Sequence, residues 1–169
     1  MPEKIYPKVV VVDDENKVIG AEFLFNAIEK GMIRRVSRIF VFKQSGELLI
    51  QQRSANVLKP LLLDQSAGGH VDEGETHQQA AERELFEELG INNVPVIEID
   101  NAFRTKTFFN ASYRVVIPDS VKIVFDSEEI EQVFWIQPAA VIEQMIESPK
   151  KFNPAFVETW MAFKEKLVP

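Results

Sequence analysis

A chain of 169 residues, 46% hydrophobic and 27% charged, has the make-up of one folded domain and excludes disordered and fibrous classes. Its net charge of −7 disfavours broad nucleic-acid binding, because phosphate backbones reward clustered Lys and Arg. The absence of cysteine removes disulfides, thiolate metal sites and cysteine nucleophiles, and it fits a reducing compartment. The start, MPEKIYPKVVVVDD, lacks the basic opening, longer apolar stretch and cleavage site of a signal peptide. No apolar run approaches the roughly 18 residues of a membrane span. The expectation is a soluble cytoplasmic protein with neither nucleic-acid nor membrane partners.

In chain order, KVVVV at residues 8–12 predicts a strand and Asp13 to Lys17 a turn, whereas Val18 to Met32 has a mixed pattern that fits neither period. Arg35 to Lys43 alternates and is rich in β-formers, Gln44 to Glu47 is a turn signal, and Leu48 to Arg53 is the returning strand of a hairpin. Residues 54–63 read as a loop and Gln65 to Val71 as a strand interrupted by Gly68-Gly69. The strongest helix runs from Thr76 to Leu89, with Thr76 and Gln79 spaced as a capping box and Gly90 at the far end. Strands are then predicted over Val94 to Arg104, Ala111 to Ile117, Val121 to Phe125 and Ile130 to Ile136. Helices follow over Pro138 to Ile146 and Pro154 to Leu167. This order suggests a sheet between helical layers, with residues 1–33 as an N-terminal extension packed on a domain of residues 34–169.

The chemistry concentrates in GHVDEGETHQQAAERELFEELGI, Gly69 to Ile91, which has seven acids against the single base Arg83. Glu84, Glu87 and Glu88 lie toward the C-terminal end of the helix, where the helix dipole disfavours negative charge and i,i+4 like-charge pairs add repulsion. At about 100° per residue the three fall within an arc of about 100°, beside an Ala81, Leu85 and Leu89 stripe suited to packing on the sheet. A charge run is ordinarily a solvated face. Three carboxylates at the border of a core are expensive to keep ionised unless a cation joins them, and all-oxygen ligands suit Mg²⁺ or Mn²⁺.

The same segment resembles the Nudix box, G-x5-E-x7-R-E-U-x-E-E-x-G-U with U aliphatic. It agrees at Gly69, Glu75, Arg83, Glu84, Leu85, Glu87, Glu88, Gly90 and Ile91. At ordinary residue abundances a chance match at one start is on the order of one in a billion. The resemblance extends more weakly over residues 35–165. It implies an α/β fold, a Nudix-type α/β/α sandwich with a mixed β-sheet and a loop–helix–loop motif. It also implies that Glu84, Glu87 and Glu88 hold Mg²⁺, for which Mn²⁺ can substitute, that the Gly68 carbonyl joins them, and that Arg83 orients Glu84 while Glu75 supports the site. The implied activity is hydrolysis of a phosphoanhydride in a small-molecule diphosphate. A further carboxylate serving as base or extra ligand has its candidates in Glu128, Glu129 and Glu131, with Glu129 favoured, and Arg53 resembles a substrate-phosphate contact.

His77 reads as an exposed helix residue and His70 as a loop residue near substrate. Phe103, Phe108 and Phe109 are candidates to stack a flat group, and residues 54–64 and 102–112 are expected to be the substrate loops. FVFKQSGELLIQQRS with AGGHVDEGE also resembles the branch containing isopentenyl diphosphate isomerases, whose cysteine motif is missing here. A non-catalytic nucleotide sensor is the third reading, although such proteins lose box glutamates and none is lost here. A homodimer is expected from family habit alone.

Overall fold

The computed structural model describes residues 6–169. Strand β1 (Lys8–Val12) turns back into β2 (Val18–Phe23). Asp13 Oδ1 accepts from the backbone N–H groups of Glu15 and Lys17, each at 2.9 Å, which sets this turn. The stretch that fits no period in the sequence is β2 followed by the short helix α1 (Leu24–Glu29). Its Ala27 and Leu24 pack on Val9 and Val11.

The organising strand is β3 (Ile33–Lys43), eleven residues long. Along one edge it meets three partners in turn: β1 at Ile33 and Arg34, β6 (Ala67–His70) from Val36 to Ile39, and β4 (Leu48–Arg53) at Phe42. Its other edge runs parallel to β8 (Phe108–Ile117), which pairs antiparallel with β7 (Ile97–Arg104). Strand β4 also carries β5 (Leu63–Asp64) and β9 (Ile130–Ile136), completing a mixed sheet.

Alternation along β3 sends successive side chains to opposite faces. Ile39 and Val41 join Leu85 and Leu89 of α2 (His77–Leu89) on one side. Phe40 and Phe42 meet α3 (Pro138–Glu147) and α4 (Pro154–Leu167) on the other, where the Phe40 ring lies 5.9 Å from Trp160 and 6.2 Å from Phe156. Full burial of Leu85 and Leu89 contributes roughly 2 kcal/mol each, so the helix bearing the acids is fixed by its apolar stripe. No helix among the described residues is long and apolar enough to cross a membrane.

The structure corrects three sequence expectations. Residues 121–125 form no strand. Their alternation arises because Ile123 and Phe125 pack on the α2-side core, while Val124 N–H and Asp126 N–H donate to the carbonyls of Leu89 and Glu88. The expected loop 102–112 is largely the β7–β8 hairpin. The segment 65–71 pairs only over Ala67–His70.

Candidate active site

Helix α2 begins with a complete capping box: Gln79 N–H donates to Thr76 Oγ1 and Thr76 N–H to Gln79 Oε1. It ends on Gly90 in the left-handed conformation, φ 67°. Between these ends the box residues converge on Arg83. The guanidinium donates to both oxygens of Glu75 at 2.8 and 2.9 Å, to Glu84 at 2.7 Å, to Glu87 at 3.2 Å and to the His70 carbonyl at 3.1 Å. Asp72 adds a fourth acid at 3.5 Å. Hydrogen bonding to Glu75 and the charge of Glu84 push Arg83 above its ordinary range, and the Arg83 hydrogen bond holds Glu75 below its own.

Glu84 lies against Gly69 so closely that a Cβ there would stand 2.1 Å from Glu84 Oε1. The absence of a side chain at position 69 is what admits the carboxylate. At Gly68 the obstacle is backbone, since a Cβ would come within 2.7 Å of the Ser37 carbonyl oxygen. Glu88 is buried, and one of its oxygens accepts from Gln51 Nε2 at 2.8 Å. Burial raises Glu84 to about 7 despite Arg83, and the charges of Glu129 and Glu87 add to the rise. Glu88 is pushed well above the usual carboxylate range by burial, then by Glu84 and Glu129. The structure therefore brings Glu129 into the field of both helix carboxylates. Its loop is anchored through Ser54, whose N–H donates to the Glu129 carbonyl and whose hydroxyl donates to that of Glu128.

Glu88 thus feels the charge of Glu84, whereas Glu87 is exposed and held by Arg83. Among the described residues no three acidic or histidine side chains are already gathered as an ion cage. The donor set still fits a hard divalent cation. Glu84 and Glu88 are mutually repelling carboxylates taken out of water, and the one guanidinium at the site is shared with three other acids.

Arg53, at the end of β4, is paired with buried Asp64 at 3.1 Å and donates to the Leu58 carbonyl at 2.9 Å. Asp64 also accepts from Asn153, the N-cap of α4. His70 lies on β6, where its Nε2 accepts from Arg34 Nε at 3.3 Å, so the ring is neutral with its proton on Nδ1. Burial and the charges of Arg34 and Arg38 lower it to about 3. His77 is half-buried rather than exposed, with Nδ1 3.3 Å from Ser37 Oγ, and burial lowers it to about 4. Of the three candidate phenylalanines, Phe103 packs edge-on against Phe163 and Phe109 is buried in the core. Phe108 is half-buried beside His70. Gln51 was missed in the sequence, although period-two alternation from Leu49 places it on the α2 face of β4.

The NUDIX domain family matches residues 32–156. The chain belongs to the Nudix family. It is 32% identical over 143 residues to an uncharacterized Nudix hydrolase of Nostoc sp., covering 79% of this chain and 82% of that one. A second uncharacterized Nudix hydrolase, from Pseudomonas aeruginosa, is 30% identical over 79% and 80% of the two chains. The isopentenyl-diphosphate Δ-isomerase of Nocardia farcinica is 29% identical over 89% and 90%, so the isomerase-like branch is also represented. In fold the chain is similar to a Deinococcus radiodurans protein, with TM-score 0.73 and 24% identity over 83% and 90%. It is likewise similar to the Nudix domain of Shewanella oneidensis NrtR, crystallised with ADP ribose, at TM-score 0.61 and 16% identity over 80% and 89%. This Nudix protein is a pyrophosphohydrolase by family, and Nudix hydrolases generally use divalent metals.

Proposed function

We propose that this Nudix protein hydrolyses a phosphoanhydride bond in a small nucleoside-diphosphate-linked or related diphosphate metabolite, with Mg²⁺ as cofactor and Mn²⁺ able to replace it. One observation carries the reading: Glu88 is buried and Glu84 largely so, and burial together with the charge of the exposed Glu129 pushes both above the usual carboxylate range. Glu84, Glu87, Glu88 and the Gly68 carbonyl would hold the ion. When bound, such an ion neutralises phosphoryl oxygens and lowers the pKa of a coordinated water.

The remaining work falls to the protein. Arg83 fixes the Glu84 carboxylate through its hydrogen bond, and Gln51 fixes Glu88. Glu129, exposed and tethered through Ser54, is the base that takes the proton of the attacking water. Arg53, braced by Asp64, would meet a substrate phosphate. Phosphoryl transfer needs mainly such positioning and charge stabilisation.

Hydrolysis is preferred to isomerisation because the chain has no cysteine for the isomerase motif. A sensor that does not turn over is disfavoured by the intact set of box acids. The outer edge of β2, with exposed Val18, Ile19 and Phe23, is suited to pairing with a second copy, which sedimentation would reveal. The functional test is Mg²⁺-dependent phosphate release from a panel of nucleotide sugars, dinucleotides, nucleoside triphosphates and coenzyme-type diphosphates. Glu84→Gln and Glu88→Gln should each remove it, by about 100-fold or more, while the circular dichroism of the fold survives. Equal release by wild type and both variants would reject the assignment. Conversion of isopentenyl diphosphate to its dimethylallyl isomer would replace it.

A further inference from the structure

On the face of the sheet opposite α2 lie two buried arginines that the hydrolytic machinery does not use. Arg34 and Arg38 are each 4% exposed, and neither enters a salt bridge among the described residues. Their hydrogen-bond partners are neutral, although Arg38 also feels the charge of Glu158 and of the buried Asp64 that Arg53 already holds. Arg34 donates from Nε to His70 and from an η nitrogen to the Met32 carbonyl at 3.0 Å. Arg38 donates to Asn110 Oδ1 at 2.8 Å and to Gln65 Oε1 at 3.1 Å. The guanidinium carbons lie 4.9 and 6.0 Å from the centre of one ring, Phe108. By contrast Arg53 has Asp64, and Arg83 has four acids.

A buried cation with no acid in direct contact is costly, and two over one ring, one of them sharing Asp64 with Arg53, gain from an anion that completes them. Strand alternation makes the pair a site rather than an accident of packing. Arg34, Val36 and Arg38 share one face of β3, with Phe108 opposite Arg34 and Asn110 opposite Val36 on β8. On β6, His70 stands opposite Val36 and Gly68 opposite Arg38. Gly69, between them, faces Glu84 on the other side. Among the described residues β6 pairs with β3 alone, and its Gly68, Gly69 and His70 are half-buried. His70 spans both sides, its ring accepting from Arg34 and its carbonyl from Arg83.

We infer that Arg34 and Arg38, framed by His70, Gln65 and Asn110 over the Phe108 ring, form an oxyanion subsite. It takes a second phosphoryl or carboxylate group of the substrate, remote from the anhydride that is cut. The word substrate rests on the hydrolase reading, but the anion site does not. It predicts that substrates bearing a further anionic group are selected over those ending in a neutral one, since planar guanidinium forks recognise such oxyanions bidentately.

The test is thermal melting of the full chain in EDTA with inorganic phosphate or malonate, against chloride at equal ionic strength. Saturating phosphate should raise the wild-type Tm by roughly 5 °C or more. Malonate matching that rise identifies a general oxyanion site, and malonate without effect identifies a phosphoryl site. Arg34→Gln and Arg38→Gln should lose the rise, and Arg34→Gln should melt no lower than wild type in chloride, because Arg34 has no acid acting on it. Lys106→Gln, which removes an exposed charge nearby, should keep it. No phosphate-induced rise in wild type, or an undiminished rise in both arginine variants, overturns the subsite. A wild-type crystal grown in phosphate gives an independent readout, and an ion bound only away from both arginines also overturns it. Phosphate protection that persists when no diphosphate in the panel is hydrolysed would remove the hydrolase reading and keep the subsite.

Discussion

Gly69→Ala isolates the geometry of the carboxylate from the stability of the fold. Gly69 has no positive φ, so an alanine backbone is accommodated there. The added Cβ would stand 2.1 Å from Glu84 Oε1, 2.4 Å from Cδ and 3.0 Å from Oε2. Ordinary contact requires roughly 3.5 Å, so the carboxylate must retreat by more than about 1 Å and leave its 2.7 Å bond to Arg83. That ion pair is partly exposed and shared, and its loss costs under about 1 kcal/mol. The gain from a stiffer unfolded chain, about 0.4–1 kcal/mol, offsets it. Stability should therefore change by less than about 1 kcal/mol, a Tm shift of a few degrees. Activity should suffer far more, because a misplacement of about 1 Å at a reacting centre costs on the order of 100-fold. The assay pairs Mg²⁺-dependent phosphate release with urea unfolding of the same preparation. Full activity in the alanine variant would show that the position of Glu84 does not matter to the chemistry. A collapsed fold would show that Gly69 serves packing instead.

Stability should fall with pH in the metal-free protein. Glu84 is raised from 4.5 to about 7 on folding, so its contribution is fully present below pH 4.5 and lost as pH rises through 7. At 1.36 kcal/mol per unit this is about 3 kcal/mol, and Glu88 acts in the same direction. Urea midpoints in EDTA should drop between pH 5 and pH 7.5, and divalent metal should restore them at pH 7.5; a midpoint that climbs over this range without metal contradicts the burial account. Gly90→Ala should cost about 1 kcal/mol by urea unfolding, because φ is 67° and the Val124 carbonyl oxygen lies 3.1 Å from the new methyl. An unchanged midpoint would mean that the helix end readily adjusts.

Much of this was legible in the sequence where the signal is local. Thr76, Gln79 and Gly90 mark the ends of α2 through bonds spanning at most five residues, and the structure makes each of them. The β3–β4 hairpin follows from its turn, and the box glutamates from helical spacing. What the sequence concealed depends on contacts distant along the chain. Gln51 meets Glu88 across 37 positions, and Arg38 meets Asn110 across 72. Residues 121–125 alternate like a strand but find core and helix-end carbonyls rather than a neighbouring strand, and a strand is defined by its neighbour. The spread of the box acids over Arg83 was likewise hidden, because helical spacing gives the arc on which side chains start and not the partner each one reaches.

The segment from Val124 to Glu129 is stitched to its surroundings at both ends. It donates to the last carbonyls of α2, one of them Glu88's own, and accepts at its far end from Ser54 on the chain leaving β4. Main chain of the very residue whose side chain enters the site thus steers the incoming carboxylate of Glu129. Exchanging this loop for one of different length would disturb both acids at once, so any such exchange has to carry helix end and loop together as one cassette.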